Sequence, residues 1–235
     1  VTHRVLITGA TSGIGLQLVR RFAGRADILA TGMRSEADAN TVLPAGLTYL
    51  QTDQADPEAC AATITEFLDQ LGWQTLDLAI LNAGSGAVGP AETEDPQVLR
   101  RMLAINLLSP MLLAHALFAP LARTNGKLVL VGSTARKGAN GFASYAAAKA
   151  GLHGFGRALN AEWQGRVSVQ TIHPGPTRTE MHARAGFDAG RLARWFLSPV
   201  TVAAMMEDIM RSGKPCANAD HLRLLASPRL WRSVR

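Results

Sequence analysis

The amino-acid sequence predicts an α/β protein, a single domain built on one parallel, doubly wound sheet flanked by helices. Two observations carry that expectation. Short β-branched and apolar runs alternate with longer stretches of helical apolar spacing throughout the chain, the order that a parallel sheet with crossover helices requires. Between the first run and the first helix stands Gly9-Ala10-Thr11-Ser12-Gly13-Ile14-Gly15, a glycine-rich turn in a strand–turn–helix context. At 235 residues the chain is long enough for one sizeable core. No repeat, low-complexity tract or linker divides residues 1–235.

Arg4 to Thr8 (RVLIT) reads as the first buried strand. Glycines in the turn after it let the backbone approach a pyrophosphate, and the N-terminus of the helix running on to Gly24 presents free N–H groups to its charge. Asp27 to Thr31 is the second strand. A dinucleotide-binding unit that holds NAD carries a carboxylate about 20 residues beyond the glycines; here that place is taken by Gly32-Met33-Arg34. A guanidinium suits a 2′-phosphate, so NADP(H) is favoured with NAD(H) as the alternative. A solvated loop arginine is the competing reading of Arg34.

Leu47 to Leu50 is the third strand, and Asp53 beyond its end is placed to accept a hydrogen bond from an adenine amino group. Asp56 caps a helix from Pro57 to Leu71. Leu76 to Leu81 is the fourth strand, with Asn82-Ala83-Gly84 at its carboxyl end, where ligands of open α/β sheets sit. Pro96 to Ala122 reads as one long apolar helix, distorted near Pro110. Asn106 inside it is expensive to bury without partners: either it satisfies backbone groups at a bend, or it orders a water in an active site.

The run Lys127 to Gly151 organises the rest. Leu128 to Val131 is a strand ending at Gly132-Ser133, and after a glycine-containing loop the chain re-enters order at Ser144-Tyr145-Ala146-Ala147-Ala148-Lys149. Alanine favours helix, so Tyr145 and Lys149 lie at i and i+4 on one helical face. A phenol titrates near ~10 and serves as an acid–base group near neutrality only with a cation beside it. Lys149 is such a cation, and Ser133 at a strand end is placed to hydrogen-bond whatever Tyr145 protonates. Taken alone the pair is a weak signal, because a helical tyrosine often simply packs.

Val167 to Ile172 is the sixth strand, followed by the turn His173-Pro174-Gly175-Pro176-Thr177-Arg178-Thr179. Met181 to Leu197, with Phe187 and Trp195 set among Gly186 and Gly190, reads as a mobile lid covering about residues 180–198. Pro199 to Met210 is an amphipathic helix, and Leu222 to Ala226 a short last strand.

Composition sets the remaining bounds. Hydrophobic residues make up 47% and charged residues 18%, a globular balance. No apolar run reaches the roughly 18–20 residues of a membrane span, and Val1-Thr2-His3-Arg4 carries no signal-peptide pattern, so a cytoplasmic protein is expected. Cys60 and Cys216 have no Cys or His at ligand spacing; free thiols are expected, with neither a disulfide nor a metal site. The formal charge is +6. Arg223, Arg229, Arg232 and Arg235 gather near the C-terminus, read first as a solvated basic tail, with contact to nucleic acid, a membrane surface or an acidic carrier protein as the alternatives.

Together Thr8-Gly9-x-x-x-Gly13-Ile14-Gly15, Asn82-Ala83-Gly84, Asn106, Ser133, Tyr145-x-x-x-Lys149 and Pro174-Gly175-x-x-x-Thr179 resemble the short-chain dehydrogenase/reductase family in order and spacing, over about residues 4 to 210. The resemblance implies a Rossmann-type sheet of about seven parallel strands, NAD(P) as hydride carrier, and a catalytic set of Asn106, Ser133, Tyr145 and Lys149. Tyr145 is then the general acid in carbonyl reduction, Lys149 lowers its pKa and holds the nicotinamide ribose, Ser133 polarises the substrate oxygen, and Asn106 holds a relay water. Cofactor contacts fall to Gly9, Ser12, Gly13, Ile14, Gly15, Arg34, Asp53, Asn82, Ala83, Gly84, Tyr145, Lys149, Pro174, Gly175, Thr177 and Thr179.

Two positions depart from the pattern of NADP-using members: Ser12 and Met33 stand where a basic residue is common. The end of the chain also lacks the glycine-rich finish of many tetrameric members, which favours a homodimer through the helices around Ala104–Ala116 and Ala146–Leu159. The expected function is an oxidoreductase acting on a ketone or secondary alcohol. The alternatives are a non-catalytic dinucleotide-binding sensor or docking module, and epimerase or dehydratase chemistry with the same residues.

Overall fold

The computed structural model describes residues 3–186 and 190–226. Seven parallel strands, β1 (His3–Thr8), β2 (Ala26–Gly32), β3 (Thr48–Gln51), β4 (Leu78–Leu81), β5 (Lys127–Val131), β6 (Ser168–Pro174) and β7 (Cys216–Ala219), form one sheet in the order β3-β2-β1-β4-β5-β6-β7. The inner strands have no solvent-facing side because both faces are covered. In β1, Val5 and Ile7 point to one side and Leu6 to the other, and all three are buried. On the first side lie α1 (Gly13–Phe22), α2 (Glu36–Asn40) and α8 (Pro199–Ser212), through Leu18, Val19, Ala39, Met205, Met206 and Ile209. On the second lie α3 (Pro57–Gln70), α5 (Ser109–Ala122) and α6 (Ala143–Glu162), through Ile64, Leu113, Leu117, Leu121, Leu152 and Leu159.

The expected strands appear with shifted ends, except the last. Leu222 to Ala226 lies in a short helix, α9 (His221–Ala226), and the seventh strand is Cys216–Ala219, which continues the ladder with Cys216 opposite Thr171 and Ala219 opposite Pro174. Only Ala219 of the four is fully buried, so the segment has none of the apolar density that marks inner strands. Leu222 and Leu225 remain exposed. Arg223 of the basic tail pairs with Asp208 at 2.6 Å; Arg229, Arg232 and Arg235 lie outside the described residues.

Pro96 to Ala122 is one continuous helical stretch with a distortion inside it. α4 (Pro96–Leu103) passes into a wider π turn (Ala104–Leu108) and then α5. The cause is close by: Pro110 has no N–H to donate to the Asn106 carbonyl four residues back, and Ser109 N–H reaches Ala104 O, five back. Against the sequence expectation, this stretch is long and apolar enough to cross a membrane by length and composition. Its apolar stripe at Leu113, Leu117 and Leu121 is buried against the sheet.

α1 and α8 are joined by a buried carboxylate. Glu207 is 5% exposed and accepts from Arg21 at 2.6 Å, from Arg25 at 3.2 Å and from Arg211. Burial pushes its pKa up, but the hydrogen bond and charge of Arg21, with Arg211 and Arg25, outweigh that and leave it below the usual value. A depressed carboxyl contributes stability that is full above its unfolded pKa and disappears as pH falls through the folded one. Glu207→Gln is therefore expected to cost about 1–3 kcal/mol near pH 7, measured by urea unfolding. The gap from wild type should close as pH falls below about 4.

Candidate active site

The strand order reverses between β1 and β4, so the connections leaving their carboxyl ends part in opposite directions and open a crevice. A cleft of about 780 Å³ lies there, with the glycine-rich turn at one end and Ser133, Tyr145 and Lys149 at the other. A second cavity of about 510 Å³ lies by the opposite, amino-terminal strand ends and contains none of these residues.

The turn is built to bring backbone close. Gly9 has φ +63° and Gly13 φ +53°, conformations that side chains disfavour. A methyl group on Gly15 would lie 2.1 Å from Gly9 O. Ser12 occupies the N-cap of α1 without capping it by its side chain, so the first N–H groups of the helix stay available to an anion. Asn82 holds the turn from behind: its amide nitrogen donates to Thr8 O at 3.1 Å and Gly9 O at 3.2 Å. Thr8 Oγ1 accepts from the Asn82 and Ala83 N–H groups at 3.0 Å each. The Asn82 amide nitrogen thus serves the turn, and the residue also lines the cleft.

Arg34 and Asp53 line the same end. Tyr49 Oη fixes the Arg34 carbonyl at 2.8 Å, and the Arg34 guanidinium makes no salt bridge among the described residues. Asp53 accepts from Ala55 N–H at 2.8 Å and stands 3.8 Å from Arg101, while Asp56 caps α3 through Ala59 N–H. Pro174, Gly175, Thr177 and Thr179 form the wall after β6, pinned by Thr177 Oγ1 to Gly175 O at 2.8 Å.

At the other end, Ser133 follows β5 in extended backbone and its hydroxyl accepts from Ala135 N–H at 3.1 Å. Tyr145 and Lys149 are one turn apart on α6, 7% and 3% exposed, with Nζ 5.9 Å from the phenol ring centre. Nζ donates to Val131 O at 2.9 Å. Asn106, fully buried in the π turn, donates to Ser85 O at 2.9 Å and Met102 O at 3.1 Å and accepts from Ser85 N–H at 3.3 Å. These contacts satisfy backbone groups on both sides of the π turn. Asn106 and Lys149 nonetheless converge: a methyl on Gly84 would stand 3.0 Å from Asn106 Oδ1 and 3.6 Å from Nζ.

The electrostatics differ from the sequence expectation. Burial raises the Tyr145 pKa, and the Ser133 hydroxyl is the group that pulls it back. Lys149 is instead itself lowered to about 8 by burial. The i, i+4 spacing placed the two residues on one face without revealing that the helix packs both away from water, where desolvation outweighs the benefit of a cation beside a phenolate.

Sequence reasoning did not single out Arg101 or Phe142, which also line the cleft together with Met181, Arg184 and Phe196 of the expected lid. Phe142 packs edge-on against Tyr145, ring centres 6.2 Å apart, and its place three residues before Tyr145 was the available signal. Met181 and Phe196 come from the lid segment, which contains α7 (Glu180–Arg184) and a 3₁₀ turn (Gly190–Trp195) and is tied back by a bridge between Thr177 and Leu197. Phe187 of that segment lies outside the described residues.

Below about pH 8 Lys149 is charged in both folded and unfolded chains and carries its full burial cost. As pH rises from about 8 the folded chain loses the proton first, so stability from this group increases with pH. Urea midpoints of the ligand-free protein should therefore carry a contribution rising by up to about 2–3 kcal/mol from about pH 8 to 10. Lys149→Met should remove that slope.

Comparison with known proteins agrees with this architecture. The sequence pattern of the short chain dehydrogenase family matches residues 3–188. A short chain dehydrogenase/reductase of Aspergillus versicolor is 31% identical, the match covering 81% of this chain and 72% of that one. A putative NAD(P)-dependent gluconate 5-dehydrogenase from Beutenbergia cavernae, solved with bound NADP, superposes with a TM-score of 0.79 at 27% identity, covering 93% and 95% of the two chains. A short-chain dehydrogenase of Sphingobium yanoikuyae in complex with NADPH shares the fold, with a TM-score of 0.81 at 23% identity over 99% and 92%. From its matched pattern and its relatives, the chain belongs to the short chain dehydrogenase family, oxidoreductases that act on CH–OH and C=O groups.

Proposed function

We propose that this chain is an NADP(H)-preferring oxidoreductase that interconverts a ketone and a secondary alcohol, with Tyr145 as the proton donor and acceptor. The observation that carries the reading is the meeting of Ser133, Tyr145 and Lys149 on one wall of a cleft whose far end is the Gly9–Gly15 turn. The turn suits a pyrophosphate, since Gly9 and Gly13 take the positive φ that bends its backbone and the α1 N-terminus is uncapped by side chains. Arg34, two residues beyond the end of β2 and in no salt bridge among the described residues, supports a 2′-phosphate, and the NADP held by the Beutenbergia cavernae protein agrees with that choice.

When bound, the nicotinamide supplies or accepts hydride. The protein's part is placement and proton transfer. Ser133 would donate to the substrate oxygen and hold it beside the Tyr145 hydroxyl. Because burial raises the phenol pKa, Tyr145 keeps its proton in the free protein and is set to release it to a carbonyl oxygen as charge develops there. Lys149, near its titration point at about 8, is the group from which that proton can be replaced. Phe142, Met181 and Phe196 give the substrate end an apolar wall, which favours substrates of modest polarity.

Tyr145→Phe should reduce NADPH-dependent turnover on a carbonyl panel by about 10²–10⁴-fold with cofactor affinity within about twofold; near-normal turnover defeats the mechanism. Arg34→Ala should weaken NADP binding about 10- to 100-fold, as loss of a charge-assisted contact does, and leave NAD almost unaffected. Equal losses for both would count against the phosphate contact.

A further inference from the structure

Behind the catalytic wall the fold assembles a set of side chains that the oxidoreductase reading does not use. The histidine nearest Cys216 in sequence is His221, but α6 packs over β6 and β7 pairs with β6, and these contacts bring two distant ones, His153 and His173, to Cys216. His173 Nε2 lies 3.2 Å from His153 Nδ1, and Cys216 Sγ is 4.0 Å from the same nitrogen. All three ligand atoms fall within 4.8 Å of one another.

We propose that His153, His173 and Cys216 form a binding site for a divalent cation of borderline softness, zinc. Two nitrogens and a sulfur are donors that suit zinc. Bonds of about 2.0–2.1 Å to nitrogen and about 2.3 Å to sulfur put tetrahedral N···N and N···S edges near roughly 3.3 and 3.6 Å. The imidazole pair already has the first spacing, and the thiol has to move by up to about 1 Å to reach the second. Cys216 is exposed and begins the edge strand, which gives an entry path and a side chain free to turn. Three protein donors leave a fourth position for water.

The second observation concerns His173 itself. It is fully buried, and its other ring nitrogen, Nδ1, has no hydrogen-bond partner. A methyl on Gly132 would stand 2.2 Å from that atom, so only glycine lets the ring sit here. A neutral imidazole offers a lone pair, the form a metal requires. With Nε2 on a metal, Nδ1 carries the hydrogen and faces the Gly132–Ser133 backbone, the usual support for a ligating histidine. Arg136 and Arg157 act on the His153 ring and oppose a dication; a Cys216 thiolate offsets one charge. The affinity is accordingly that of an open, partly opposed site.

Titration of the full chain with Co²⁺, followed by absorption, tests this independently of turnover or cofactor. The expected result is a thiolate-to-cobalt charge-transfer band that saturates at one equivalent and is displaced by Zn²⁺. Cys216→Ser should remove the band, and both it and His153→Ala should weaken Zn²⁺ binding at least tenfold in calorimetry, with circular dichroism confirming the fold. Absence of saturable binding overturns the site, as does a band unchanged in Cys216→Ser, which would place the sulfur at Cys60. Equal Zn²⁺ affinity in wild type and both variants also overturns it.

Discussion

Parallel strands leave a sheet apolar on both sides, and the need to cover two faces at once governs this molecule. It forces the chain to leave each strand by a helix and return on the same edge. Helices α1, α2 and α8 take one face and α3, α5 and α6 the other. The reversal of winding between β1 and β4 is where those two layers separate, and the cleft is the gap left behind. Site and fold thus have one cause.

Within the cleft, polar groups are held by the protein's own backbone rather than left to find a ligand. Lys149 is anchored on Val131 O, Asn106 on Ser85 and Met102, Asn82 on Thr8 and Gly9. A buried ammonium and a buried amide are costly without partners, and these bonds offset the cost while fixing position. Positions set in advance are what electrostatic catalysis needs, because no reorganisation is then required as charge develops.

Much of this was legible in the sequence. The apolar runs of β1, β2, β5 and β6 announced themselves because both their faces are buried. The glycines at 9, 13 and 15 stood in the one context that gives them meaning. β7 was not legible: Cys-Ala-Asn-Ala pairs at the sheet edge through its backbone, and such pairing leaves little trace in side-chain type. Spacing put Tyr145 and Lys149 on one helical face, but did not reveal the sign of the Tyr145 shift, which depends on how completely α6 is packed. The neighbourhood of Cys216 was hidden for a third reason: its histidines come from two other elements that only tertiary packing brings near.

The π turn at Ala104–Leu108 gives the long helix a phase as well as a bend. An α-helix turns by about 100° per residue, so one residue accommodated in a wider turn resets which side everything beyond it presents. Leu113, Leu117 and Leu121 meet the sheet because that reset precedes them, while Asn106 stays aimed at the loop after β4. The stretch behaves as two helices clocked independently, one set by the loop after β4 and one by the core. Regularising the turn would put the two out of step, and the core and that loop could not both keep their partners.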